Sequence, residues 1–373
     1  MKNSAAINNI RKIFETEEFY EKIIRDYKEK YHKKIIASPY YFIPPEINAA
    51  FDIISLKIPE FMLNQSSILN RLNSIFDMII ISDKECFCNK DIKSIQHYIF
   101  KTPEGFGEDA AVALHNELSL MLNILFSIEI KSIDIDALQR ETAVYEKLRR
   151  LIRNISSFHY ENGTILSNNE LSLIFEVALV FPPEIAIQYI NPVLEEIKSS
   201  DNKHESIKIK SLLYGKKYIP QDIADNIERM GILIAEDDLC TGRRIFDISL
   251  NAESEYIFYE ILDAYSYRAL FPCLRPVAER YELVYKLLKN YQIDCVIFYK
   301  DENSHDLNRD IDFHDLNRDI DLDDGVYKHH HEICHDLNRD IDYLRIKMMR
   351  DGIDPIVIDK NNYKSIISKY VNA

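Results

Sequence analysis

The chain has 373 residues, of which 46% are hydrophobic and 29% are charged, and its formal net charge is −15 at pH 7. A chain of this length exceeds the size at which one hydrophobic core usually keeps growing, so we expect more than one domain. The excess of acidic residues argues against a sequence-independent hold on nucleic acid, which rests on clustered Lys and Arg. No apolar run reaches the roughly 18 residues that a membrane helix needs. The amino terminus shows no secretory signal, so we expect a cytoplasmic protein that does not bind membranes.

The amino-terminal part of the chain favours a helical lead. Residues 8–31 alternate apolar and charged positions at helical spacing, which predicts one amphipathic opening helix. A short strand is expected at 34–37. The segment Pro44-Pro45-Glu46 has proline and an acid where a helix begins, and the helical pattern can continue from Asn48 onward.

A continuous apolar run at 77–82 predicts a buried strand. The carboxyl end of this strand leads to Cys86 and Cys88, at the sheet edge where open α/β folds place their ligands. Residues 109–157 follow a helical pattern almost throughout. Two further helices are expected, separated by Pro182-Pro183.

Beyond a candidate linker at 199–205, the pattern changes to alternating strands and helices, which implies a parallel sheet. Strands are expected at 207–213, 232–235, 294–299 and 355–358, and helices at 220–230, 276–290 and 343–350. We therefore predict an α/β fold with two Rossmann-like parallel-sheet domains and additional helices. The expected division is a helical lead over 1–32, a first domain over 33–200 and a second domain over 201–373.

The predicted second domain contains a repeated segment. The sequence His-Asp-Leu-Asn-Arg-Asp-Ile-Asp occurs at 305–312, 314–321 and 335–342. The unequal spacing of the copies does not make a solenoid period. We interpret 301–342 as a solvated loop that arose by local duplication.

The cysteines are the residues with the greatest potential for chemistry. In a chain expected to be cytosolic they are poor evidence for disulfides, because that compartment keeps thiols reduced. Cys86, Cys240 and Cys334 each follow a predicted strand or lie in a loop after one, and thiolates at such edges can converge on one soft metal centre. Buried inert cysteines are the alternative. Cys295 stands inside an apolar strand and is expected in the core.

The glycine patterns of phosphate loops, dinucleotide folds and nucleophile elbows are absent, so no ATP site is predicted in this chain. One segment is more informative than these absences. Residues 236–246, with the sequence Glu-Asp-Asp-Leu-Cys-Thr-Gly-Arg-Arg-Ile-Phe, resemble the acidic-Asp-Leu-Cys-Thr-Gly-x-Arg-x-Phe segment of the 2-hydroxyglutaryl-CoA dehydratase D-component family. That family includes subunits of 2-hydroxyacyl-CoA dehydratases and benzoyl-CoA reductases.

Other stretches are similar to the same family in the same order along the chain, and the resemblance covers about residues 40–360. They are the Pro-Glu segment at 43–47, the strand leading to Cys86, the Pro272-Cys273 pair before a helix, the strand region 293–298, and the Cys334 region with the following 343–357.

The resemblance implies a 4Fe-4S cluster between the two domains, a homologous second subunit, and a separate ATP-dependent activator protein that donates the electron. The chain would be the iron-sulfur subunit of a hydro-lyase acting on a 2-hydroxyacyl-CoA. One-electron reduction of the thioester to a ketyl radical anion makes loss of the 2-hydroxyl feasible, and an iron with an open position can act as a Lewis acid. Reduction of a ring, as in the benzoyl-CoA reductase branch, is an alternative.

The resemblance also implies the cofactor-binding residues, although the sequence departs from the family pattern. No cysteine lies in 47–76, where the family has its first cluster cysteine, and Cys86-Phe87-Cys88-Asn89 replaces a Cys-Asp motif. The expected metal ligands are Cys86, with Cys88 as an equivalent choice, and Cys334. Cys240 and Cys273 occupy family-like positions in or beside the cofactor site. A cluster-free homologue that serves as a structural partner subunit is the second hypothesis.

Overall fold

The structure is a computed structural model, and the part of the chain that it describes is α/β. It contains two four-stranded sheets in which every neighbouring pair of strands is parallel. The predicted fold class is therefore confirmed. No helix in the described ranges is long and apolar enough to cross a membrane. The described residues are 4–14, 16–39, 43–59, 62, 74–83, 96–103, 107–162, 166–199, 209–215, 219–239, 242–267, 277–300, 336–353, 355–359 and 361–371.

The first sheet has the strand order β2-β1-β3-β4. Its strands are β1 Lys34–Ser38, β2 Ile53–Lys57, β3 Met78–Ser82 and β4 His97–Phe100. β1 and β3 confirm two predictions, whereas β2 and β4 were not expected. The helix that begins at Pro45 ends at Ala49 instead of continuing, and Asp52 then takes a left-handed conformation with φ of 59°. All five residues of β2 are buried, including Ser55 and Lys57, which alternate with Ile54, Leu56 and Ile58. This alternation is typical of a strand, and the expectation of a helix from Asn48 onward did not take it into account.

Seven helices accompany the first sheet in the described ranges. The opening segment forms two helices, so the prediction of one continuous helix is wrong. α1 ends at Ile13, and a new helix starts after Thr16, whose side chain makes no capping hydrogen bond. Glu17 and Glu18 favour this start, because negative charge in the first turn stabilises a helix N-terminus. The helices are α1 Ala5–Ile13, α2 Glu17–Tyr31, α3 Pro45–Ala49, α4 Glu108–Phe126, α5 Ile135–Asn162, α6 Asn168–Val180 and α7 Pro183–Ser199.

The second sheet has the strand order β6-β5-β7-β8. Its strands are β5 Ile209–Tyr214, β6 Ile232–Asp238, β7 Cys295–Tyr299 and β8 Pro355–Ile358, which confirms the four predicted strands. Cys295 is fully buried in β7, as expected. Of the helices in this half, α9 and α12 were not predicted. The helices are α8 Gln221–Arg229, α9 Ile257–Tyr267, α10 Val277–Asn290, α11 Asp336–Arg350 and α12 Tyr363–Val371.

Both faces of the first sheet are covered, and alternate side chains of each strand enter different cores. Ile35 of β1 packs with residues of α1, α2, α5, α6 and α7, whereas Ile36 packs with α4 and α9. The chain thus returns to the first sheet after β6, because Ile257 and Ile261 of α9 belong to this second core. Residues far apart in sequence therefore build one hydrophobic unit around β1–β4.

The last copy of the repeat is helical. α11 begins at Asp336, inside the copy at 335–342, and Ile341 is fully buried in the core formed by β5, β7 and α10. The interpretation of 301–342 as a solvated loop is therefore wrong for this copy, because its single isoleucine falls on the core-facing side of a helix. The first two copies lie outside the described residues.

Replacement of Ile341 by alanine tests this assignment. We expect Ile341→Ala to lower the free energy of unfolding by about 2–4 kcal/mol, because the lost methyl groups leave a cavity in a closed core. Ile311 and Ile320 hold the same place in the first two copies, where the sequence predicts solvated loop, and their replacement should change this free energy by less than about 0.5 kcal/mol. Urea unfolding of the three variants is the measurement, and equal effects would contradict the assignment.

A half-buried carboxyl group joins α8 to α6. Glu228 Oε1 accepts a hydrogen bond of 2.5 Å from the backbone N–H of Asn168, at the start of α6. The pKa of Glu228 is raised to about 7, chiefly by burial; the carboxylates Asp225 and Glu170 also raise this pKa, and the hydrogen bond from Asn168 opposes them. The folded protein therefore holds this proton more tightly than the unfolded chain does.

The shift makes stability depend on pH. Because the folded pKa lies above the ordinary value of 4.5, the contribution of Glu228 is complete below that value and is lost as the pH rises through about 7. Glu228→Gln should therefore reduce the decrease in the free energy of unfolding between pH 5 and pH 8. Urea unfolding at several pH values is the measurement. The exposed Glu255→Gln is the control and should keep the wild-type dependence.

Candidate functional site

The five predicted cofactor ligands lie outside the described residues. They are Cys86, Cys88, Cys240, Cys273 and Cys334. Within the ranges that the structure describes, no group of three or more His, Cys, Asp or Glu side chains is arranged to hold a metal ion. The geometry of the predicted cluster site therefore stays a prediction. The structure does contain the strands that precede these cysteines in sequence: β3 before Cys86 and Cys88, β6 before Cys240, and β7 before Cys334.

The carboxyl edge of the first sheet contains a small cleft at the point where the strand order reverses. In an order of β2-β1-β3-β4 the reversal falls between β1 and β3, the position where open α/β sheets bind ligands. Ser38 and Ser55 contribute hydroxyl groups, and Asn48 Nδ2 donates a hydrogen bond of 2.8 Å to Ser55 Oγ. Asn48 Oδ1 is buried and has no hydrogen-bond partner. The cleft itself has room for about one water molecule. Its lining residues are Ile36, Ala37, Ser38, Ile43, Ser55, Leu56 and Ile80.

The carboxyl end of β6 carries three consecutive acidic residues inside the protein. The strand was predicted to end at Ala235, but it continues to Asp238, which pairs with Tyr214 of β5 after an irregularity in register. Glu236, Asp237 and Asp238 are all at most 4% exposed. The sequence prediction stopped short because a run of acids normally marks a solvated loop. Here the acids are buried, so they need partners.

Two arginines after the turn supply those partners. Arg243 lies in the 3₁₀ turn Arg243–Phe246, and its guanidinium contacts the Glu236 carboxylate and donates to Tyr291 Oη at 2.8 Å. Its backbone N–H donates to both carboxylate oxygens of Asp237, at 3.0 and 3.2 Å. Arg244 Nη1 lies 3.3 Å from Asp238 Oδ1. We call Glu236, Asp237, Asp238, Arg243 and Arg244 the acidic clamp.

Gly242 is required for the clamp to close. A Cβ atom at this position would overlap the carboxylate of Asp237, so no other residue fits without moving that side chain. The described residues on either side of Cys240 in the sequence are therefore fixed, by β6 before it and by Gly242 and Arg243 after it.

The electrostatics of the clamp reflect its burial. Burial raises the pKa of Glu236 to about 8 and that of Asp237 to about 7, and Arg243 acts against both shifts. Water is largely absent here, so attraction between the carboxylates and the guanidinium groups is stronger than at the surface.

A second buried network connects the Pro-Pro-Glu segment to the clamp through α5. Arg149 Nη1 lies 2.5 Å from Glu46 Oε1, and Arg149 Nε lies 2.7 Å from Glu146 Oε1. Tyr265 of α9 donates to Glu46 Oε2 at 3.2 Å. Glu146 Oε2 also pairs with Arg153 Nη2, at 3.1 Å. We call these five residues the α5 network.

The α5 network reaches the end of the 3₁₀ turn. Arg153 Nη1 donates to the carbonyl oxygens of Phe246 and Ile248, at 2.8 and 2.6 Å. The segment after β1 and the segment after the acidic clamp are thus held against the same helix. The spacing of Glu146, Arg149 and Arg153 suits contacts along one helix face, but their pairing with Glu46 cannot be seen from sequence.

Comparison with known protein families agrees with this architecture. The family model described as 2-hydroxyglutaryl-CoA dehydratase, D-component, matches residues 40–308, a range that contains Glu46, the acidic clamp and four of the five predicted ligands. The chain therefore belongs to the 2-hydroxyglutaryl-CoA dehydratase D-component family, which confirms the resemblance inferred from the motifs. Cys334 lies beyond the matched range. No match was found among the curated proteins.

Replacement of Arg149 tests the α5 network. We expect Arg149→Met to lower the free energy of unfolding by about 3–5 kcal/mol, because the fully buried Glu46 would lose its cationic partner, while Glu146 would keep only Arg153. Arg150 is the adjacent residue on the exposed side of α5, and Arg150→Met should change this free energy by less than about 0.5 kcal/mol. Urea unfolding distinguishes the two variants, and equal small effects would contradict the buried network.

Proposed function

We propose that this chain is the cluster-bearing component of a radical 2-hydroxyacyl-CoA dehydratase. The observation that carries the proposal is the family match over 40–308, which includes four of the candidate cysteine ligands. One of them, Cys240, lies in sequence between Asp238 and Arg243 of the acidic clamp. The family supports a component of such a dehydratase. The reaction class, the cluster and its ligands are our proposal.

The donor chemistry of the candidate residues suits an iron-sulfur cluster. Thiolates are soft ligands, and a 4Fe-4S cluster takes them in preference to carboxylates or imidazoles. We propose Cys86 or Cys88 and Cys334 as metal ligands, with Cys240 and Cys273 in or beside the cofactor site. When bound, the cluster would supply one electron to the acyl thioester and a Lewis-acidic iron.

The described residues would perform the remaining tasks. The cleft at Ser38 and Ser55 offers hydroxyl groups at the sheet edge, where a polar part of the substrate can bind. Glu236 and Asp237 both contact Arg243, and these contacts fix the chain on the carboxyl side of Cys240. The α5 network fixes the position of one sheet edge relative to the other. A substrate and a cofactor bound at these edges would need such a fixed geometry in order to react.

The proposal includes partners and an organisation that the family suggests. A homologous second subunit would complete the enzyme, an ATP-dependent activator would donate the electron, and an acyl-CoA would be the substrate. We propose the same division as in the sequence, with a lead over 1–32, a first domain over 33–200 and a second over 201–373, and a cytoplasmic location.

A cluster-free structural subunit is the second candidate function. It is favoured by the absence of cysteine from 47–76, where a family cluster ligand is expected. A subunit of this kind would keep the clamp and the α5 network, because both stabilise the fold without a cofactor. A benzoyl-CoA-reductase-like activity would use the same cluster on a different acyl group.

Iron and acid-labile sulfide in protein purified without oxygen test the proposal. We expect about four of each per chain, alone or co-expressed with a homologous subunit. Cys334→Ser should lose most of the iron, whereas Cys295→Ala should keep it, because Cys295 is enclosed in the core by β7.

One result would contradict the cluster-bearing role, and another would contradict only the choice of ligands. Iron near zero in both wild-type preparations would leave the structural subunit as the function. Equal iron in the Cys334→Ser variant and the wild type would remove Cys334 from the ligand set. The visible absorption of the cluster gives a second reading that is independent of turnover.

A further inference from the structure

Three contacts join the end of β3 to the end of β4, at the carboxyl edge of the first sheet. The backbone N–H of Asp83 donates to the carbonyl oxygen of Phe100 at 3.0 Å. Asp83 Oδ1 accepts a hydrogen bond of 2.8 Å from the backbone N–H of Thr102. The hydroxyl groups of Ser82 and Thr102 contact each other, and both residues are buried. We call Ser82, Asp83 and Thr102 the edge junction.

The second sheet shows which of these contacts the fold itself requires. β7 and β8 hold the same places in their sheet as β3 and β4 in the first. After β7, the backbone N–H of Lys300 donates to the carbonyl oxygen of Ile358, again at 3.0 Å. Lys300 stands where the first sheet has Asp83, and its side chain has no hydrogen-bond acceptor. Because the second sheet forms this junction without a carboxylate, the bond from the Asp83 carboxylate is not a requirement of the fold.

The edge junction lies next to two candidate cluster ligands in the sequence. Cys86 and Cys88 follow Asp83 by three and five positions, and both cysteines lie outside the described residues. A chain spans at most about 3.6 Å per residue, so the Cα atom of Cys86 lies within about 11 Å of that of Asp83. A fixed Asp83 therefore limits the positions that the Cys86 thiolate can reach.

The acidic clamp repeats this combination of an aspartate and a cysteine. Asp237 lies at the carboxyl end of β6 and stands three positions before Cys240, the same spacing as between Asp83 and Cys86. Its carboxylate also accepts a hydrogen bond from a backbone N–H, that of Arg243. Each sheet thus has an aspartate at the carboxyl end of a strand that fixes the backbone next to a candidate ligand. The spacing selects Cys86 rather than Cys88 in the first sheet.

We propose that Asp83 is a positioning residue for Cys86, and that Cys86 rather than Cys88 is the cluster ligand that follows β3. The carboxylate acts through the backbone, because its bond to the N–H of Thr102 fixes the point from which the cysteine segment starts. Groups that orient metal ligands typically change metal affinity by about 10–100-fold. The inference rests on the proposed function, since it requires that the chain carries a cluster.

The rate at which protein purified without oxygen releases iron to a chelator tests the proposal. We expect Asp83→Ala to release iron at least about tenfold faster than the wild type. Asp83→Asn should keep the wild-type rate, because its amide oxygen can still accept the bond from Thr102. Asp77→Ala is the matched control and should also keep that rate. Asp77 Oδ2 accepts a hydrogen bond of 2.7 Å from the backbone N–H of Ile35, at the opposite edge of the same sheet.

The electron paramagnetic resonance signal of the reduced cluster provides a second reading. Asp83→Ala should change this signal and Asp77→Ala should not, because only a residue that orients a ligand alters the surroundings of the iron. Cys86→Ser should lose most of the iron, whereas Cys88→Ser should keep it. The two cysteine variants decide the question even if Asp83→Ala fails to fold.

Failure of this inference is distinct from failure of the proposed function. Iron near zero in the wild type would overturn both. If the wild type contains iron, equal release rates in Asp83→Ala and Asp77→Ala would overturn the inference alone. Loss of iron in Cys88→Ser together with its retention in Cys86→Ser would also overturn only the inference, and the chain would remain a cluster-bearing subunit.

Discussion

The buried pairing of Arg149 with Glu46 is the contact on which the arrangement of the molecule depends. Glu46 begins the short helix after β1, and Arg149 lies in the middle of the 28-residue helix α5. Both groups are out of contact with water, so each is acceptable only because the other is present. From Arg149 the same network passes through Glu146 to Arg153, which holds the backbone after the 3₁₀ turn.

The acidic clamp uses the same principle at the second sheet. Three acids at the end of a buried strand would destabilise the fold unless cations met them, and Arg243 and Arg244 lie close enough to do so. Gly242 allows the turn to approach Asp237. The result is that Asp238 and Arg243, on either side of Cys240 in the sequence, are fixed, and that this region is joined through α5 to the segment that follows β1.

Sequence patterns succeeded where one interaction dominated. Continuous apolar runs gave β1, β3 and β7, since buried parallel strands need little else. β2 was missed because the helix at Pro45 was expected to continue beyond Asn48, and β6 was cut short because a run of acids is typical of a solvated loop. Identical repeat copies show the same limit. Only packing around Ile341 tells that the last of them is helical.

The sequence by itself determined the α/β class, the alternation of the second half, the family motifs and the cysteines that are candidates for cofactor chemistry. Each of these features depends on residues that are close together in the sequence, so composition and spacing are enough to predict it. Only the tertiary structure decided that Glu46 meets Arg149, that Arg243 closes on Glu236 and Asp237, and that α9 returns to the first sheet. Glu46 and Arg149 are 103 positions apart. Nothing in local spacing selects one distant carboxylate as the partner of a buried guanidinium. That choice is made when the helices pack and water is excluded.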